Sequence, residues 1–148
     1  METAVNIADL LNGLIGINNN RIICYEKAAQ WSQLFAPSLK NHFHKLAMQV
    51  KLDIQELGTE VLRLGTKTTK KMTLSGRMYN IWNDLKASVT GHDDRSLRNS
   101  CRHSDTVALQ CYNECLTNPL LLYHPIRKLV ERQFQILRDR QNNFTTDP

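Results

Sequence analysis

Two pairs of long apolar-periodic segments dominate the chain, and about 28 residues (66–93) separate the first pair from the second. That gap constrains the fold more than any other feature. Within each pair the break is short, which predicts two antiparallel hairpins. A connection of this length can travel the whole length of a helical bundle. The second hairpin can therefore start at the end of the bundle opposite to the one where the first started and finished, a single-crossover topology rather than a simple up-and-down one.

The segments are read from their three-to-four spacing. In residues 3–31, Leu11, Leu14, Asn18, Ile22, Tyr25 and Ala29 share a face. The triplet Asn18, Asn19, Asn20 sits mid-segment, where asparagine is a middling helix former, but the period continues through it. Pro37 breaks the pattern and suits a helix's first turn. Residues 38–64 carry Phe43, Leu46, Ala47, Val50, Ile54, Leu57, Val61 and Leu64, and Gly65 is placed as a C-cap. A polar, basic linker over 66–73 leads to a shorter helix over 75–89, with Met78, Ile81, Trp82 and Leu85. The third long helix is predicted over 94–117, with Leu97, Cys101, Ala108, Cys111 or Tyr112, and Cys115 inward. The fourth is predicted over 122–143, starting at Leu122 or Pro125 and running through Ile126, Leu129, Val130, Gln133, Ile136 and Leu137.

Composition fits one all-α domain over 1–148. A chain of 148 residues buries about 70% of its extended surface, enough for a core without staples. The net charge is +5, yet the only basic cluster is Lys67, Lys70 and Lys71 in the linker. No Lys/Arg stripe with aromatic platforms is visible, so nucleic acid is not an expected partner, and weak binding through that linker is the least favoured option. No apolar run approaches the about 20 residues of a membrane span, and the start Met1-Glu2-Thr3-Ala4 lacks a basic leader. Cys24, Cys101, Cys111 and Cys115 form no secreted framework. A cytoplasmic protein with reduced thiols is the expectation.

Five stretches carry a resemblance: LLNGLIGINNNRIICYEKAAQ, HFHKLAMQVKLDIQELGTEVLRLG, IWNDLKASVTGHDD, ALQCYNECL and LVERQF, in that order and over nearly the whole chain. The chain resembles a bacterial domain-of-unknown-function family related in fold to ferritins. The resemblance implies a ferritin-like four-helix bundle, with two antiparallel hairpins joined by a long crossover containing a short helix. It implies no activity, and fold alone does not supply one. The family pattern further implies acids at the positions of Arg102 and Asp105 and often a histidine where this chain has Gln141. Only Asp105 keeps that pattern here.

Ferritin-type di-iron centres need two Glu-x-x-His motifs, which put carboxylate and imidazole on one helix face. Three residues before His42, His44, His92, His103 and His124 stand Leu39, Asn41, Val89, Ser100 and Leu121. The motif is absent. With four aligned helices, the midpoints near Asn18, Gln49, Asp105 and Gln133 meet in a central polar layer. Those residues are mostly amides, which are weak ligands for transition metals but hydrogen-bond one another well. No metal and no cofactor is favoured. The alternative is a degenerate iron or manganese site drawn from Glu26, Asp53, Glu56, Asp105 and Glu131.

The remaining constellations are plain. Cys111 and Cys115 share a face with Cys101 and read as core packing. His42 and His44 point to different faces. There is no nucleophile elbow and no phosphate loop, so no catalytic residue is assigned. Trp31, Leu34 and Phe35 at the first hairpin, with Trp82, form a candidate apolar end for a homodimer or another protein partner. The expected function is a non-enzymatic bundle working through protein contacts or as a stress-related accessory protein.

Overall fold

The computed structural model describes residues 2–68 and 94–145. Among the described residues there are four α-helices and no strand: α1 (Glu2–Phe35), α2 (Pro37–Arg63), α3 (Asp94–Thr117) and α4 (Arg127–Thr145). A 3-10 turn, Pro119–Leu121, lies between the last two. The short helix expected over 75–89, with Trp82, falls outside the described residues, as do Lys70 and Lys71.

α1 is 34 residues long and runs four residues past its expected end at Trp31. Nothing breaks the pattern before Pro37. A residue preceding proline is pushed out of the helical region, and Ala36 accordingly sits at φ −154°, ψ 85°. Pro37 then opens α2 at a position where its missing N–H costs nothing. One residue thus reverses the chain. α2 closes with a Schellman motif: Gly65 at φ 80° donates its N–H to the Leu62 carbonyl, and Thr66 to that of Val61.

α4 begins at Arg127, later than the expected start at Leu122 or Pro125. Two prolines explain the delay. Pro119 opens the 3-10 turn, whose cap Asn118 accepts from the Leu120 N–H at 3.0 Å. Pro125 keeps His124 non-helical, and the His124 Nδ1 accepts from the Ile126 N–H. The Arg127 guanidinium donates to the Leu116 carbonyl at 2.7 Å and ties the start of α4 to the end of α3.

Cross-helix pairs give the directions. Glu26 meets Lys51 and Asn12 meets the Lys67 carbonyl, so α2 runs antiparallel to α1. Leu10 meets Cys115 while Asn20 meets Ser104, so α3 also runs antiparallel to α1, and hence parallel to α2. Tyr112 meets Gln133 and Thr106 meets Gln141, so α4 reverses α3. Arg132 pairs with Glu56, which brings α4 against α2. α2 therefore ends, and α3 begins, at opposite ends of an all-helical bundle.

The core has two apolar parts. One gathers Leu11, Leu14, Ile17, Leu57, Val61, Ala108, Cys111 and Val130. The other gathers Tyr25, Ala28, Ala29, Phe43, Ala47, Val50 and Cys101. In α1, α2 and α3 the two parts are separated by buried polar residues: Asn18 and Arg21, Asp53, and Ser104. Ile136, expected inward on α4, is instead exposed, and Leu137 takes the inward position. No described helix is long and apolar enough to cross a membrane. Leu14 is fully buried in the first apolar part, so Leu14→Ala is expected to cost about 2–5 kcal/mol in urea unfolding, by transfer and cavity terms together. A loss below about 1 kcal/mol would contradict this packing.

Candidate functional site

Among the described residues, the polar layer is where buried polar side chains of α1, α3 and α4 form a common network that reaches α2 at the Asp53 backbone carbonyl. Its centre is Arg21, which shares a face of α1 with Asn18 and Tyr25 at i−3 and i+4. The Arg21 side chain is 2% exposed. Its Nε donates to Asp105 Oδ1 at 2.8 Å, and its Nη1 donates to Asn18 Oδ1 at 2.9 Å. The Tyr25 hydroxyl donates to Asp105 Oδ2, and the Arg21 guanidinium carbon lies 5.9 Å from the centre of the Tyr25 ring. Asp105 thus has both oxygens engaged, with its side chain 17% exposed.

Arg21 also sets the polarity of everything beyond it. A guanidinium only donates, so Asn18 must turn its carbonyl oxygen towards it. The Asn18 amide nitrogen then donates to the Tyr112 hydroxyl at 2.9 Å. Tyr112 in turn donates to Gln133 Oε1 at 2.6 Å. The Gln133 amide nitrogen is left to donate to the Asp53 carbonyl at 3.1 Å, with Glu56 Oε1 at 3.5 Å. Every bond from Arg21 to Asp53 points the same way across α1, α3, α4 and α2.

Electrostatics follow burial. Desolvation outweighs the other influences and pushes the Tyr112 hydroxyl well above the usual tyrosine range. Burial, then the Asp105 charge, does the same to Tyr25. Both remain neutral donors. Burial also raises Asp53, opposed by the charge of Arg21 and by the Gln49 amide 3.5 Å away. Asp53 is the buried acid of the layer with the weakest compensation.

Of the four midpoints expected from the sequence, Asn18 and Gln133 sit in the network, Asp105 is joined to it through Arg21, and Gln49 touches it at Asp53. The candidate metal acids are not brought together. Glu26 faces Lys51, Glu56 faces Arg132 and Glu131 faces Arg127, all at the partly exposed rim. Among the described residues no group of three or more His, Cys, Asp or Glu side chains is arranged to hold a metal. The donor set does not fit a di-metal centre, because a fixed guanidinium charge is bonded to Asp105, where a cation would need that carboxylate. The imidazole Nε2 of His103 is buried without a hydrogen-bond partner, and His103 belongs to no group of three or more such ligand side chains among the described residues. Arg21, Tyr25 and Tyr112 are the residues that sequence reading did not assign to the layer. The available signal was the Asn18, Arg21, Tyr25 spacing, which puts a charge on an inward face.

At the hairpin end, Leu34 is 80% exposed and Trp31 half-buried, while the Phe35 side chain lies outside the described residues. Lys67 is exposed on the α2 exit.

Two outcomes test the layer. Arg21→Met leaves Asp105 without its cation and Asn18 without its donor, and is expected to cost about 3–5 kcal/mol. The partial exposure of Asp105 favours the lower end, and the same change in an Asp105→Leu background is expected to cost clearly less. Equal costs in both backgrounds would remove the pairing as the cause. Asp53→Asn is expected to raise the melting temperature at pH 7. The folded value of Asp53 lies above its ordinary 3.8, so the ionised form is the disfavoured one in the folded state. The penalty is absent below about pH 3.8 and grows as pH rises through the folded value. The gain from Asp53→Asn should therefore shrink as pH is lowered from 7 towards 4, and a gain independent of pH would contradict this.

No curated protein matches the chain, and no solved structure does. A family model described as Domain of unknown function (DUF2383) matches residues 6–118. That span takes in α1, α2 and α3, with most of the polar layer, and the chain belongs to that family.

Proposed function

We propose that this protein is a ferritin-like four-helix bundle of bacterial, cytoplasmic origin that acts through protein contacts, or as a stress-related accessory protein, and not as an enzyme. The parallel course of α2 and α3 supports the ferritin-like topology, since it requires a crossover along the bundle. The function rests above all on Arg21. Its buried guanidinium bonds the one mid-bundle acid that the family pattern retains, so the layer is completed by the protein's own hydrogen bonds. Such a layer sets helix register. What is left for function is the surface, and exposed apolar side chains such as Leu34 at the hairpin end supply contact area there.

The alternative is a degenerate iron or manganese protein using Asp105 with Glu26, Asp53, Glu56 or Glu131. Metal analysis of protein purified without chelator separates the two. The expected result is iron, manganese and zinc all well below one equivalent, and a stoichiometric metal would overturn the proposal. Size-exclusion chromatography with light scattering tests the contact surface. A mass above the 17.1 kDa monomer is expected, returned to monomer by Leu34→Glu. A monomer at every concentration would exclude self-association as the contact in question.

A further inference from the structure

A pair of thiols lies beside the polar layer on the interface between α1 and α3. Asn20 Nδ2 donates to Ser104 Oγ at 3.1 Å across this interface. One turn forward of Asn20 stands Cys24, and one turn back from Ser104 stands Cys101; because α1 and α3 are antiparallel, both lie to the same side of that pair. Both pack in the apolar part that holds Tyr25, Ala28 and Phe43. Both are free thiols, Cys24 partly exposed and Cys101 buried.

We infer that Cys24 and Cys101 form an oxidant-responsive pair, in which a hydroperoxide oxidises Cys24 and Cys101 resolves it as a disulfide between α1 and α3. In the first step the Cys24 thiolate attacks the peroxide oxygen, the O–O bond breaks, and sulfenic acid forms at Cys24 with release of an alkoxide or hydroxide, which takes up a proton. The sulfur loses two electrons and the peroxide gains them. In the second step the Cys101 sulfur attacks the Cys24 sulfur, the S–O bond breaks, and the Cys101 proton leaves with the oxygen as water. A disulfide joins the two sulfurs.

The four cysteines are not equivalent in this chemistry. The neighbouring Cys101 lowers the Cys24 thiol; burial and the Asp105 charge oppose this, Ser104 and Lys27 assist it, and the balance is downward. Proximity to Cys24 and burial hold Cys101 well above the usual thiol range. Burial pushes Cys111 up to about 12 and Cys115 higher still. Reactivity follows thiolate character and exposure together, so Cys24 is the attacking thiol and Cys101 the resolving one.

The experiment uses the full chain treated with hydrogen peroxide under native conditions, then alkylated and mapped without reduction. The expected product is a linked Cys24–Cys101 peptide pair, with Cys111 and Cys115 still alkylated. Before oxidation, iodoacetamide should modify Cys24 at least about tenfold faster than the other three. Cys101→Ser should trap sulfenic acid at Cys24, detected as a dimedone adduct. No linked pair in the wild-type chain at peroxide levels that oxidise its methionines would overturn the inference. A first disulfide between other cysteines or between two chains would overturn it as well. The wild-type map stands on its own if the variant fails to fold.

Discussion

A guanidinium buried to 2% exposure is costly to place in a small helical bundle, and the ion pair between Arg21 and Asp105 is what makes it tolerable. The pair joins α1 to α3 at the boundary between the two apolar parts of the core. A one-turn slip of α3 along α1 would take Asp105 away from Arg21, because the residues one turn from it are Cys101, Arg102, Ala108 and Leu109, none of them an acid. Apolar side chains alone resist such slips weakly, because one layer of Leu, Val or Ala packs against another with similar energy. The charge pair makes the correct register distinct from its neighbours. The Tyr25 hydroxyl, on the second oxygen of Asp105, completes the carboxylate.

Much of the architecture was legible in the sequence because it rests on periodicity and punctuation. Pro37, Gly65 and Pro119 mark where helices begin and end, and each acts through a backbone restriction that needs no tertiary information. The late start of α4 was not legible from periodicity, because Ile126 keeps the apolar pattern while Pro125 and His124 keep the backbone out of the helix. The site was half legible. Treating the helices as aligned and similar in length put Asn18, Gln49, Asp105 and Gln133 at one level, although the helices run from 34 residues in α1 to 19 in α4. Arg21 escaped because an arginine in an amphipathic helix ordinarily reaches solvent, and only the position of Asp105, 84 residues away, shows that it does not. The sequence offers Cys111 or Tyr112 as inward; both are buried, and the Tyr112 hydroxyl bridges Asn18 and Gln133.

The layer and the rim divide the acids by role. Glu26, Glu56 and Glu131 spend their charge on exposed pairs with Lys51, Arg132 and Arg127, of the kind worth at most about 1 kcal/mol each. Asp105 is fixed by a buried cation, and Asp53 is held inside with only an amide and a distant charge in support. A di-metal bundle would draw these carboxylates inward to a common point. Here they are dispersed by their cations. Gln133, which ends the directed chain of hydrogen bonds, lies on α4, beyond the stretch matched by the family.

The single-residue reversal at Ala36 has a kinetic side. The contacts between α1 and α2 close on each other across one residue, so their formation costs little loop entropy. The bonds that complete the polar layer close loops of 84 residues between Arg21 and Asp105 and 94 between Asn18 and Tyr112. Local contacts of the first kind become available early and distant ones late. The hairpin of α1 and α2 is thus a template that carries Asn18, Arg21 and Asp53 in place, and docking of α3 and α4 is the event that decides whether a buried charge finds its partner.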